Sequence, residues 1–148
     1  MCRRQLAVVS DKLSSPGVSP GVMADCMVRA MYCHLLGYRS SDIAIHAVKL
    51  AQSGTLLHRK MGYLASTILL PSDSQLLLLI TNTIMKDLNS SNILDIQLGL
   101  VAASCLVTSP HLQPMLLPRL LQLASHNSHL VRKKVLIVLH RFFFLVNY

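Results

Sequence analysis

Signals for the start and the end of a helix recur along this chain at a near-constant interval. Candidate helices begin near Ala24, Thr55, Asn92 and Ser128, about 31 to 37 residues apart. A second helix fits within each interval, and no stretch shows the polar–apolar alternation of a strand. This period is typical of solenoids in which helix pairs stack on their neighbours. The sequence therefore predicts an all-α, right-handed α-solenoid of HEAT- or armadillo-like helix pairs.

The expected helices are bounded by residues that cap or terminate helices. Thr55 and Asn92 are good N-caps, Gly37 is a natural C-terminal stop, and Ser40, Ser41 and Asp42 offer a cap for the second helix. Asn127 and Ser128 can cap the N-terminus of the last helix. We expect seven helices, or three and a half pairs, between Met23 and Phe142: 24–36, 43–52, 55–69, 73–88, 93–107, 113–124 and 129–144. Pro118 is expected either to kink the sixth of these or to mark its true start.

The first 22 residues are richer in residues that interrupt helices than the rest of the chain. They contain Ser-Ser-Pro-Gly and Ser-Pro-Gly and show no sustained hydrophobic period. We therefore expect residues 1–22 to be a divergent, flexible leader and residues 23–148 to be the ordered helical part.

The apolar content of the chain is high, and a membrane protein must be considered. Hydrophobic residues make up 52% of the chain and charged residues 14%. The longest apolar tracts, 76–80, 96–107 and 135–146, are short or interrupted, whereas a bilayer requires about 20 apolar residues in succession. A helix packed between a partner and neighbouring repeats is also apolar on most sides. A small integral-membrane helical protein stays an alternative to the solenoid.

Positive charge is concentrated in a few clusters. The formal charge is +8, and the clusters are Arg3–Arg4, Arg59–Lys60 and Arg132–Lys133–Lys134. Such clusters attract nucleic acid, anionic lipid or acidic protein. Aromatic residues that stack on bases are scarce and mostly distant from the clusters, so we expect no nucleic-acid partner. A basic helical-repeat module that binds nucleic acid is the remaining alternative.

Residues capable of catalysis or metal binding are scattered. The four cysteines form no CxxC pair, which indicates reduced thiols, and the histidines form no metal-binding pattern; even His126 and His129 lack a third ligand. No GxSxG, HExxH or glycine-rich phosphate loop occurs. We therefore expect no catalytic site, no metal site and no cofactor.

Several stretches in succession resemble the N-terminal trunks of the large-subunit adaptins. They are LLGY at 35–38, IHAVKLAQSGTLL at 45–57, RKMGYLA at 59–65, LLLLITNTIMKDLNSSN at 76–92 and LVRKKV at 130–135. Within that family the chain is most similar to the epsilon type of the fourth adaptor complex, then to gamma-adaptin. The leader does not match the helical N-terminus of the family. Because a full large subunit continues for several hundred residues, we expect a truncated fragment.

The resemblance implies a non-enzymatic subunit of a heterotetrameric vesicle-coat adaptor complex. Its partners would be a beta-type large subunit, a medium chain and a small chain. A GTP-loaded Arf-type small GTPase would recruit the complex from the cytosol to the cytoplasmic face of the trans-Golgi network, where it associates peripherally with the membrane and sorts transmembrane cargo. By the same resemblance, Ile45, Val48 and Leu79 correspond to GTPase-contact positions.

Each of these positions also has a structural interpretation. Ile45, Val48 and Leu79 are residue types that ordinarily lie in a helix core. Arg132, Lys133 and Lys134 form either a basic surface that contacts lipid or another subunit, or a solvated helix face. Gly62 is expected to allow close helix packing, because a glycine within a helix costs about 1 kcal/mol unless close approach compensates.

Overall fold

The computed structural model of the chain describes residues 1–39 and 42–147, and within these residues all regular structure is α-helical. Eight helices are described: α1 Cys2–Ser14, α2 Pro20–Leu35, α3 Ala44–Ala51, α4 Leu56–Leu69, α5 Leu76–Leu88, α6 Ile93–Leu106, α7 Gln113–Leu123 and α8 His129–Asn147. The prediction of an all-α helical-repeat fold is confirmed. Ser40 and Ser41, expected to cap the second helix of the prediction, lie outside the described residues.

The helices form pairs within two compact units, Met1–Pro71 and Ser72–Tyr148. In the first unit α1 packs on α2, α3 packs on α4, and α2 packs on α4. In the second unit α5 packs on α6, α7 packs on α8, and α6 packs on α8. Within each unit the even-numbered helices therefore stack on each other, and each odd-numbered helix packs on the helix that follows it. The helices that begin the predicted repeats are these even-numbered ones.

The predicted capping residues act at several helix ends. Thr55 Oγ1 accepts a hydrogen bond from His58 N at 3.4 Å, and Asn92 Oδ1 accepts one from Leu94 N at 2.9 Å. Gly37 follows α2 with a φ of 89°, a left-handed conformation that glycine adopts without strain. The start of α5 is later than predicted. It begins at Leu76, whose N–H donates to Ser74 Oγ at 3.2 Å.

Residues 2–14 correct the expectation of a flexible leader. They form α1, which packs on α2 and buries Val9 and Leu13. Pro16 and Gly17, which favour irregular structure, follow α1 and form only the turn before α2. Ser19 then caps α2 by accepting from Val22 N at 3.4 Å, and Pro20 occupies the opening turn, where a missing N–H costs nothing.

Gly62 allows α3 and α4 to pack unusually closely. A Cβ built on Gly62 would lie 2.6 Å from the Cα of Ala51 and 2.7 Å from the carbonyl carbon of Leu50. Real Cβ atoms do not approach backbone atoms at such distances, so only glycine fits at this crossing. The structural interpretation of Gly62 as a packing residue is confirmed.

Helix α7 begins at Gln113 and contains Pro118, so a later start at that proline is wrong. Arg119, on the same helix, reaches back to the previous pair. Its Nε donates to the carbonyl oxygen of Leu88 at 3.0 Å, at the last residue of α5, and its Nη1 donates to Gln122 Oε1. A cation at the C-terminus of a helix is favourable, because unpaired carbonyl groups concentrate negative charge there.

None of the helices in the described part of the chain has the length and the apolar character needed to cross a membrane.

Candidate functional site

Val48 does not lie on the surface that the sequence predicted for it. Its side chain is 2% exposed and belongs to the core of the first unit. Helix α3 also buries Ala44, Ala47 and Ala51, so Val48 completes a buried stripe at the spacing i, i+3, i+4, i+7. The expectation that Val48 points outward is therefore wrong.

The other two predicted contact residues retain accessible surface. Ile45 on α3 is half-buried, and Leu79 on α5 is 46% exposed. Leu79 lies between residues of opposite exposure: Leu78 is exposed to a similar extent, at 48%, whereas Ile80 is fully buried. The two residues belong to different compact units, so each is considered on its own unit.

The Arg132–Lys133–Lys134 cluster lies near the N-terminal end of α8, and its three side chains differ in their contacts and exposure. Arg132 Nη1 donates to the carbonyl oxygens of His126 at 2.6 Å and of Asn127 at 2.9 Å, so its guanidinium stabilises the turn between α7 and α8. Lys133 is exposed and Lys134 is half-buried. The positive charge offered to a partner at this position comes mainly from Lys133, with Arg132 held close to the backbone.

The C-terminal part of the chain, residues 96–148, carries basic side chains but no acidic ones. The last acidic residue is Asp95, and all residues from Ile96 to Tyr148 are basic, polar or apolar. The same segment carries five arginine and lysine residues: Arg119, Arg132, Lys133, Lys134 and Arg141. Neither α7 nor α8 carries a carboxylate side chain of its own, so these two helices have a net positive charge.

Two cysteine thiols are buried rather than reactive. Burial raises the pKa of the Cys26 and Cys33 thiols, which disfavours the nucleophilic thiolate. Cys33 Sγ lies 3.9 Å from the carbonyl oxygen of Cys2, a contact that joins α2 to α1. Among residues 1–39 and 42–147, no three His, Cys or Asp side chains are grouped closely enough to hold a metal ion.

His46, next to Ile45, makes the stability of the first unit dependent on pH. Burial lowers the pKa of its imidazole, and the positive charge of Lys49 lowers it further. The folded chain thus binds this proton less readily than the unfolded chain, whose histidine titrates near 6.5. The stabilising contribution is present above that pH and is lost as the pH falls through the range below it. We expect the melting temperature to fall between pH 7 and pH 5, and His46→Gln to reduce that fall. An equal fall in both proteins, measured by thermal denaturation, would contradict this role.

Comparison with known proteins gives a consistent result over nearly the whole chain. The family described as "Adaptin N terminal region" matches residues 3–147. The AP-4 complex subunit epsilon-1 of Mus musculus is 35% identical over 97% of this chain and 13% of its own length. The AP-4 complex subunit epsilon of Dictyostelium discoideum is 39% identical over 82% of this chain and 11% of its own. The AP-3 complex subunit delta-1 of Bos taurus is 30% identical over 82% of this chain and 10% of its own.

The match includes residues 3–22, which belong to the segment predicted to be a divergent leader. Residues 3–14 fall within both the family match and α1. The chain spans only about an eighth of the length of the curated epsilon relatives, 13% and 11% for the two above.

Proposed function

This chain belongs to the adaptin N-terminal family, and on that premise we propose that it is a non-enzymatic subunit, or a fragment of a large subunit, of a heterotetrameric vesicle-coat adaptor complex. The observation that carries the proposal is the family match over residues 3–147, which coincides with an all-α helical-repeat fold. Its relatives are named as subunits of AP-4 and AP-3 complexes. The proposed role is intracellular protein transport and the sorting of cargo at the trans-Golgi network.

The proposed partners are a beta-type large subunit, a medium chain and a small chain. A helical repeat is suited to such contacts because the outer faces of its helices are accessible to a partner. Several of these faces carry exposed large apolar side chains, among them Leu57 and Leu64 on α4 and Val101 on α6. Exposed apolar residues of this kind supply the desolvated contacts of a subunit interface.

Co-purification tests the proposed assembly. The tagged chain should be expressed together with the beta-type, medium and small subunits of an AP-4 complex and isolated by its tag at moderate and at high salt. We expect the other subunits to co-purify at both salt concentrations, because apolar contacts are insensitive to screening. The control is an unrelated helical-repeat protein of similar net charge. Recovery that is equal for the control, or that disappears at high salt, would contradict the proposal.

We further propose that Leu79, on the second unit, contributes to a site for a GTP-loaded Arf-type GTPase, and separately that Ile45, on the first unit, contacts such a GTPase. The support is the resemblance of these positions to the GTPase-contact positions of the family, together with the 46% exposure of Leu79. Val48 is not part of the proposed site, because its side chain is buried. An exposed leucine that becomes desolvated at an interface centre commonly contributes about 1–3 kcal/mol to binding.

Leu79→Asp is expected to weaken GTPase binding at least tenfold, on the order of 1.4 kcal/mol or more. Leu78→Asp is the matched control, since Leu78 has the same chemistry and the same exposure on the same helix but points in another direction. Both variants should melt like the unsubstituted chain, because each charge stays in solvent. The measurement is the affinity for an Arf-type GTPase loaded with a non-hydrolysable GTP analogue. Equal affinities of the two variants would contradict a site at Leu79.

Lys133 and Lys134 are proposed to assist peripheral association with the Golgi membrane. A lysine close to an anionic membrane contributes about 1 kcal/mol, so two residues provide a weak, salt-sensitive attraction that supplements the GTPase. Arg132 has a smaller share, because its guanidinium is bonded to the carbonyl groups of His126 and Asn127.

A further inference from the structure

Cys2 and Cys33 are in contact where α1 packs on α2. Cys33 Sγ lies 3.9 Å from the carbonyl oxygen of Cys2, although the two residues are 31 positions apart in the sequence. Burial raises the pKa of the Cys33 thiol, and a side-chain hydrogen bond with Cys2 raises it further. Both thiols are free. The packing of the first helix pair therefore brings two free thiols together, which is the first geometric condition for a disulfide.

The two thiols differ in their access to solvent. Cys2 is the half-buried first residue of α1, whereas Cys33 is only 2% exposed. A dissolved oxidant therefore reaches Cys2 first. Burial makes Cys33 a poor nucleophile toward dissolved reagents, but contact with Cys2 places it next to any sulfur bonded to that residue. The pair combines an accessible thiol that can be attacked with a buried neighbour that can complete a disulfide.

We propose that Cys2 and Cys33 form a site of reversible thiol oxidation, with glutathione disulfide as the oxidant. The Cys2 thiolate attacks one sulfur of glutathione disulfide, the bond between the two glutathione sulfurs breaks, and one glutathione leaves as a thiolate that takes a proton from water. Cys33 then loses its proton to solvent, its thiolate attacks Cys2 Sγ, and the second glutathione leaves in the same way. The two cysteines are oxidised to one disulfide, and glutathione disulfide is reduced to two molecules of glutathione.

The disulfide fixes the part of α1 that packing holds least. Residues 2–8 have no fully buried side chain, because the buried residues of α1 lie in its second half. A helix end with few buried contacts opens readily. A bond from Cys2 to Cys33 ties this end to α2, together with the exposed Arg3 and Arg4 beside it. The oxidation state of the pair thus controls whether the first turns of α1, with their two cations, stay packed on α2.

The other two cysteines provide internal controls. Cys26 is also buried on α2, but it lies seven residues before Cys33, which is about 10 Å along the helix. Cys105 is exposed on α6 in the second unit. Cys26 therefore reports on a buried thiol outside the pair, and Cys105 reports on an accessible one.

The site is tested by equilibrating the full chain in glutathione buffers with a rising ratio of oxidised to reduced glutathione. Intact mass and a peptide map without reductant then identify the bonded residues. We expect a product lighter by two hydrogen atoms, with Cys2 joined to Cys33. Its melting temperature should be higher by about 5 °C or more, because the bond closes a loop of 31 residues in the unfolded chain. Amide exchange in residues 3–8 should become about tenfold slower.

Serine substitutions separate the two chemical steps. Cys33→Ser should stop the reaction after the first step and leave one glutathione on Cys2, whereas Cys2→Ser should leave Cys33 unmodified. Cys26→Ser and Cys105→Ser should form the same disulfide at the same buffer ratio as the unsubstituted chain. Serine is close to cysteine in size, and thermal melting of each reduced variant checks that the substitution leaves the fold intact.

The proposal is overturned by any of three results. The first is that Cys2 and Cys33 both stay reduced in glutathione disulfide alone. The second is a disulfide that joins Cys26 or Cys105 instead, and the third is a Cys2–Cys33 bond that leaves amide exchange in residues 3–8 unchanged. The inference rests on the first unit alone, so its failure leaves the co-purification test of the proposed adaptor assembly unaffected.

Discussion

Gly62→Ala is expected to lower the free energy of unfolding by about 3 kcal/mol, although alanine is the better helix former. The added methyl group would meet the backbone of Ala51 and Leu50 at distances below 3 Å, and backbone atoms have no rotamer with which to move aside. Helices α3 and α4 would have to separate, which loosens the contacts of the buried Leu50 and Tyr63 around the crossing. The gain in helix propensity, about 1 kcal/mol, does not offset that loss.

Gly99→Ala provides the matched control. Gly99 is also a buried glycine within a helix, but a Cβ there would lie 3.1 Å from Asp87 Cβ and 3.2 Å from Leu88 Cδ2. Leu88 Cδ2 can shift with its side chain. The contacts to Asp87 Cβ and to the backbone oxygen of Ile84, at 3.4 Å, need only a few tenths of an ångström of helix movement, so the change in stability should be within about 1 kcal/mol of zero. Urea denaturation followed by circular dichroism measures both variants. Similar midpoints for the two would show that the α3–α4 crossing tolerates a side chain after all.

Val48→Asp is expected to cost about 4 kcal/mol or more, enough to unfold most of the chain at room temperature. The carboxylate would replace a side chain that is 2% exposed, within a buried stripe made of three alanines. A charge without a partner in such surroundings is among the most destabilising of substitutions. Lys49→Asp on the next residue of the same helix is the control, because Lys49 is exposed and an aspartate there stays hydrated.

Thermal melting and GTPase binding should be measured on both of these α3 variants. The expected pattern is loss of the cooperative melting transition for Val48→Asp alone. A variant that melts like the unsubstituted chain but no longer binds the GTPase would restore Val48 to the contact surface and would contradict its burial.

The helix pairs could be predicted from the sequence because their signals are local. A capping residue such as Thr55 or Asn92 accepts a hydrogen bond from an N–H two or three residues away, and Gly37 ends the helix before it with a left-handed conformation. These helix ends are therefore determined by residues that are close together in the sequence. The signal for α1 was also present. Leu6, Val9 and Leu13 follow each other at helical spacing, whereas the Pro and Gly residues after Ser14 belong only to the turn that follows the helix.

The position of each residue on a surface depended on tertiary packing and was harder to predict. The family resemblance predicts an exposed Val48, whereas Ala44, Ala47 and Ala51 place Val48 in a buried stripe at the spacing i, i+3, i+4, i+7. Gln113 begins a similar stripe with Leu116, Leu120 and Leu123, and this pattern alone signals its burial. That its amide lies in a groove between α7 and α8 follows only from the arrangement of the two helices.

The bond from Arg119 to the last carbonyl of α5 links residues that are 31 positions apart, which is close to one repeat. The last carbonyl group of α5 therefore gains its hydrogen bond from Arg119 only when α7 has packed in place. Folding of this unit should then propagate like a one-dimensional chain of coupled segments, with amide hydrogens near Leu88 exchanging at the rate at which α7 detaches. The Arg119 guanidinium would in this way couple the local unfolding of α7 to that of the last turn of α5.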